Sequence, residues 1–179
     1  MSKIEANTID SVSGTSTLTL GSSNASTIAL GSGDVQSNFN SPYFLVTRNS
    51  MQSIANTTET IVQFNNEVFD ADNKYDTSTH KFTPTVAGKY MFSVAARMNA
   101  SEDFDIFTLA IQKNGSTIAR VDKRHENNES LAFSIIQDAD TDDYFQVSVY
   151  QNAGYALNLL GDSAAFTFFQ GFRIGTWAY

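Results

Sequence analysis

From about residue 40 onward, apolar and polar positions alternate along the chain. Between 89 and 98, Tyr90, Phe92, Val94, Ala96 and Met98 fall on one face, while Lys89, Ser93 and Arg97 fall on the other. That period of two marks a strand with one buried side. Phe107, Leu109 and Ile111 repeat it, Asn114-Gly115 supplies a hairpin turn, and Thr117 to Val121 return. Further strands are predicted around Leu131, Phe133 and Ile135, around Phe145, Val147 and Val149, at Leu157 and Leu159, and over 166–174. Upstream, 42–48 and 60–64 read the same way. No window carries a helical period with caps, and roughly ten short strands at ~8–12-residue spacing predict an all-β sandwich or jelly roll.

The last strand departs from simple alternation. Phe166, Phe168, Phe172 and Ile174 lie on one side, and Phe169 with Gly171 lies on the other. A strand that is apolar on both faces is covered on both. In a two-layer sandwich the second cover is another copy of the chain, so Phe169 is expected at a subunit contact and Gly171 where backbone is closely approached.

Residues 1–38 follow a different rule. They are rich in Ser, Thr, Gly, Asn and Asp and hold no aromatic residue until 39, yet 16–25 and 26–35 repeat at a ten-residue period of Ser, Thr, aliphatic, Leu, Gly and Ser. Each unit places two apolar residues two apart, Leu18 with Leu20 and Ile28 with Leu30, before a turn. One chain has nothing against which to bury that stripe. Three copies winding together would bury it, which predicts a β-rich or extended shaft over 1–38 and a head domain over 39–179. The other reading is a disordered Ser/Gly-rich linker.

Composition narrows the function classes. At 179 residues the chain holds one domain plus an appendage. It has no Cys, so neither a disulfide framework nor a thiolate metal site is available. A net charge of −8 and a pI near 4.5, with no basic cluster longer than Lys123-Arg124, oppose nucleic-acid binding. No run approaches the ~18 apolar residues that span a bilayer, and 1–8 lack the apolar core of a secretory signal, so synthesis in a cytoplasm without membrane insertion is expected.

Over 42–174 the order of features resembles the C1q/TNF-like jelly-roll head. The resemblance is carried by Tyr43 to Arg48, by Tyr75-Asp76 leading to Lys81-Phe82-Thr83-Pro84, and by Gly88-Lys89-Tyr90-Met91-Phe92. Downstream it is carried by Leu109 to Gly115 and by Phe166 to Phe172. It implies a ten-strand jelly roll forming a homotrimer, with both termini at one end and loops as binding surfaces. The chain departs from the vertebrate pattern in lacking a Gly-X-Y stalk and in carrying His80 where the family often has Gly. Its N-terminal repeats instead resemble those of bacteriophage tail-fibre and virion appendage proteins.

Candidate chemistry is sparse. The two histidines, His80 and His125, have no recognisable Ser or Asp motif beside them, so catalysis is not expected. The run Asp138 to Asp143 invites a calcium reading, but an EF-hand needs Gly at the sixth place and Glu at the twelfth, where this chain has Asp143 and Val149. A solvated turn and a different cation site are the remaining readings, and no metal ligand or cofactor is assigned. Polar connections between apolar strands are the receptor-loop candidates: Glu102, Asp103, Phe104 and Asp105; Arg124, His125, Asn127 and Asn128; and Tyr155 after Gly154. Phe104 and Tyr155 either stack on a sugar ring or seal their loops onto the core.

The expected function is therefore a non-enzymatic virion structural protein, a phage tail fibre, spike or capsid fibre. Its trimeric head would bind host surface glycan or protein or decorate the particle, and its N-terminal segment would join other virion proteins. A bacterial secreted or surface adhesin with the same head is the alternative.

Overall fold

The computed structural model describes residues 42–99, 104–125, 130–162 and 166–175, all within one unit spanning 40–179. The shaft positions Leu18, Leu20, Ile28 and Leu30 lie outside the described residues.

Thirteen strands form among the described residues: β1 (Tyr43–Thr47), β2 (Gln52–Ile54), β3 (Thr60–Ile61), β4 (Asn66–Asp70), β5 (Tyr75–Asp76), β6 (Lys81–Phe82), β7 (Gly88–Asn99), β8 (Phe104–Lys113), β9 (Ser116–His125), β10 (Ser130–Ala139), β11 (Phe145–Gln151), β12 (Leu157–Leu159) and β13 (Phe168–Gly175). One sheet runs β2-β12-β7-β13-β1-β4, with β10 also paired to β7; the other runs β5-β6-β11-β8-β9, with β3 paired to β11. The pairs are antiparallel throughout. This is an all-β, two-sheet jelly-roll sandwich. The count exceeds the predicted ten because β2, β5 and β6 hold only two or three residues, too few to show a period, and β4 has no alternation of buried and exposed positions.

The long strands form because their alternation buries one side only. On β7, Tyr90, Phe92, Val94, Ala96 and Met98 are buried, and across the core Phe107, Leu109, Ile111, Phe145, Val147 and Val149 face them from the second sheet. Aromatic rings fill the centre: Phe44 stacks on Phe82 at 4.2 Å, Phe92 meets Phe145 at 4.4 Å, and Phe44 meets Phe169 edge-on at 5.0 Å. Turns use the residues their geometry needs. Asn114 and Gly115, at φ 53° and 79°, make the predicted hairpin, and His80 takes a left-handed φ of 59°. His80 is half-buried in that turn, and Asp76 accepts bonds there from Ser78 and Thr79.

The final strand corrects one expectation. Phe169 is no subunit contact, because its side chain is wholly buried among Phe44, Phe64 and Phe92 of its own chain. Gly171 shares that inward face. A Cβ there would stand 2.6 Å from Phe92 Cδ1 and 2.8 Å from Phe44 Cε1, so the close approach it permits is by core rings, not by a neighbouring backbone. The side left uncovered is the other one.

Candidate functional site

The two sheets present opposite kinds of outer face. On the first, strand register aligns outward residues into a row: Ile136 opposite Met91, Met91 opposite Phe172, and Phe172 opposite Tyr43. Tyr43 then meets Phe69 edge-on at 5.6 Å. Ile136 is 61% exposed, Tyr43 50%, and Phe69 and Phe172 45% each. A shallow groove of about 390 Å³ runs between Tyr43, Phe69 and Phe172. Single exposed apolar residues are ordinary; a row spanning β10, β7, β13, β1 and β4 is a surface built to be covered.

One step along the strands the face turns polar. Ser134 lies opposite Ser93 and Ser93 opposite Gln170, and the two serine hydroxyls are 2.7 Å apart. Farther on, the Arg97 guanidinium sits 4.8 Å from the Phe166 ring centre. The apolar row therefore lies toward the end where β1 begins and β13 finishes, and β7 carries the sheet from there to Asn99, a span of about 36 Å at the usual rise per residue.

The receptor-loop candidates among the described residues gather at that far end. Phe104 is paired with His125, which sets the start of β8 beside the end of β9 and brings Phe104 and Asp105 to one edge with Arg124 and His125. Asp105 and Arg124 are exposed. Gln151 pairs with Phe107 and Phe107 with Lys123, so the turn leading to Tyr155 opens at the same edge, and Tyr155 is 46% exposed. Ile106 N–H donates to Asn152 Oδ1 at 2.9 Å, tying β8 to that turn. Glu102, Asp103, Asn127 and Asn128 lie outside the described residues.

Within the acidic run Asp140, Thr141 and Asp142 are exposed, and no group of three or more His, Cys, Asp or Glu able to hold a metal forms among the described residues. Asp143 is buried, pairs with Lys113 at 2.7 Å, and accepts bonds from Asn114 Nδ2 and the Asp140 N–H. Burial works against its charge, but those bonds and the Lys113 ammonium outweigh it and hold the carboxyl below its ordinary range. Asp138 is bound to Lys89 at 2.6 Å. Two of the run's carboxylates are thus spent on lysines.

The outer face of the second sheet was not singled out from sequence. Outward positions of β8 and β11 carry Thr108, Ala110, Gln112, Gln146, Ser148 and Tyr150, and three of them form a buried polar chain. Gln146 Nε2 donates to Gln112 Oε1 at 2.6 Å, Gln112 Nε2 to Glu59 Oε1 at 2.8 Å, and the Ser148 hydroxyl to that same oxygen at 2.7 Å. Beside it, Thr108 donates to Asp122 Oδ1 at 2.7 Å and Arg120 Nε lies 3.2 Å from Asp122 Oδ2. Ala110 is the smallest side chain in the row, and over it opens a dish of about 320 Å³ lined by Glu59, Ile106, Thr108, Arg120, Asp122 and Tyr150. The available signal was Thr108 and Gln112 on one strand and Gln146, Ser148 and Tyr150 at alternate places on the other, which strand alternation alone reads as a solvated face.

Comparison with known proteins agrees with this geometry. The C1q domain family profile matches residues 43–174. The globular domain of zebrafish complement 1qA superposes with a TM-score of 0.58 at 19% identity, covering 77% of this chain and 100% of that one. Murine APRIL gives 0.59 at 11% identity, covering 75% and 100%. Eiger TNF from S. frugiperda gives 0.57 at 10% identity, covering 78% and 94%. At such identities these structures share the fold. No curated protein sequence matches. C1q/TNF-like domains are non-enzymatic binding modules that typically trimerise. By a profile match over most of its length, this chain belongs to the C1q domain family.

Proposed function

We propose that this chain is a virion structural protein, a phage tail fibre, spike or capsid fibre, whose C1q-like head trimerises and binds the host cell surface or decorates the particle. The observation that carries the assembly is the row from Ile136 to Phe69, which would otherwise stay in water. Covering the exposed half of each aromatic of that row contributes about 0.7–1.5 kcal/mol, and a closed trimer hides all three copies of it without leaving an edge. The ten-residue repeats over 16–35, which resemble fibre repeats, support attachment to other virion proteins through the N-terminal segment.

In such a head, three identical sites act together, so weak individual contacts add up by avidity. Three copies at −8 each carry −24, which favours uncharged hydroxyl-rich ligands over anionic ones. Two experiments test the reading. Sedimentation equilibrium of the full chain at micromolar concentration should give three times the 19.6 kDa chain mass. Mass spectrometry of purified particles should find the protein in the virion, whereas finding it on a bacterial surface in the absence of particles would instead establish an adhesin.

A further inference from the structure

The dish on the second sheet is built more carefully than a solvated face requires. Gln112 and Gln146 are buried and Ser148 is almost wholly inaccessible, yet all three point away from the core. Their bonds converge on Glu59, an exposed residue, and among the described residues both bonds to its carboxylate land on Oε1 and none on Oε2. Asp122, by contrast, is held at both oxygens, by Thr108 and by Arg120 Nε, while the Arg120 side chain stays 64% exposed. Acceptors and a donor edge are thus fixed in place before any ligand arrives, which lowers the ordering cost of binding.

Between these polar groups the floor is apolar, made by Ala110 and Ile106 with the half-buried Tyr150 beside them. An aromatic side next to an apolar floor, rimmed by a carboxylate, a guanidinium and a hydroxyl, matches a pyranose ring. Such a ring offers a CH face to the aromatic and equatorial hydroxyls to the rim. Its volume of about 320 Å³ is at the small end of ligand clefts, ~300–1,000 Å³. Charge decides the ligand class: Glu59, Asp122 and Arg120 sum to one negative charge, which repels acidic sugars and phosphates.

We infer that this dish binds one neutral hexopyranose unit of a surface polysaccharide, with Tyr150 against the ring face and Glu59, Asp122 and Arg120 on its hydroxyls. The inference rests on the glycan-binding form of the function proposed above and places the site on the sheet face, beside the far-edge loops rather than in them. It also leaves the apolar row free for self-association, because the two lie on the outer faces of different sheets.

Saturation-transfer NMR with the full chain tests it, using the methyl glycosides of glucose, galactose, mannose and N-acetylglucosamine as probes. At least one should give signal in the millimolar range, and Tyr150→Ala should cut that signal tenfold or more, while Tyr155→Ala leaves it unchanged. Asp122→Asn, which keeps the shape and hydrogen-bonding size of the side chain, should weaken the same signal severalfold with the circular dichroism spectrum intact. Signal that survives Tyr150→Ala and Asp122→Asn but is lost in Tyr155→Ala would overturn the inference and leave a glycan-binding head standing. Absence of signal for all four glycosides with the unaltered protein would overturn it as well. Binding of the labelled protein to host cells would then decide whether the wider reading survives with a protein receptor.

Discussion

The two outer faces of the sandwich sit on sheets of the same antiparallel build, yet they solve the problem of contact with water differently. On the first sheet Ile136, Met91, Phe172, Tyr43 and Phe69 line up across five strands and find no cover within the described residues of their own chain. On the second, Gln146, Gln112, Ser148 and Glu59 satisfy one another and leave a dish at their side. Apolar surface can be satisfied only by being removed from water, whereas polar surface can be satisfied in place. One face therefore calls for a partner of its own kind, and the other can stay open for a ligand.

The largest effect that would break this contrast comes from charging the apolar row. Tyr43→Asp combined with Phe172→Asp should convert the proposed trimer to monomers, since covering the exposed half of each ring accounts for about 0.7–1.5 kcal/mol per chain and a charge there could not be covered. Sedimentation velocity should show the shift with the sheet signal unchanged, and an unchanged sedimentation coefficient would mean that the row is not the interface. Next in size, Phe92→Ala empties the core between both faces, where Phe92 packs on Phe145 and Phe169. It should cost about 3–5 kcal/mol in urea unfolding and weaken both faces alike.

On the polar face, Glu59→Ala should cost about 1–3 kcal/mol, because it strands the donors of Gln112 and Ser148 in a buried setting. Replacing Lys89, whose bridge to Asp138 is open to solvent, should change stability by less than ~1 kcal/mol. That small loss, set against the loss at Glu59, sharpens the difference between a screened surface pair and a preorganised network.

Stability against pH should fall at both extremes, for reasons of opposite sign. Burial, partly opposed by nearby Arg173, pushes the Tyr90 hydroxyl up from 10.0 to about 12. Its raised value means that the folded chain favours the neutral phenol. The contribution is complete below pH 10.0 and lost as pH rises through about 12. Tyr75 is raised by burial too, with Glu67 and Asp76 adding to the shift. At the other end, bonds from the Ser78 hydroxyl and N–H, and from Thr79, hold Asp76 near 2 against 3.8, so its contribution is present above 3.8 and lost as pH falls toward 2. Phenolate absorbance followed alongside circular dichroism should show the tyrosines ionising together with unfolding, and ionisation of Tyr90 near 10 in a folded chain would contradict the alkaline assignment.

Much of the fold was legible in the chain because the long strands alternate cleanly. The inward sets of β7, β8 and β11 and the turn at Asn114-Gly115 follow from period and turn chemistry alone. Phe169 was misread because a strand with rings on both sides does not say which side is inward. That is decided by which partner strands flank it, and here β1 and β7 put Phe169 against Phe44 and Phe92. The loop candidates were named one by one from polar composition, but only the pairing of Phe104 with His125 set the start of β8 and the end of β9 side by side.

By itself, then, the order of residues determined an all-β sandwich, its principal strands and the C1q resemblance, since local alternation and turn preference act over neighbours in sequence. Tertiary structure alone decided which face of the last strand is left in water, that Asp143 is buried against Lys113 rather than solvated, and that Glu59 meets side chains 53 and 89 positions away. Such contacts depend on the register of strands distant in sequence, and no local pattern encodes them.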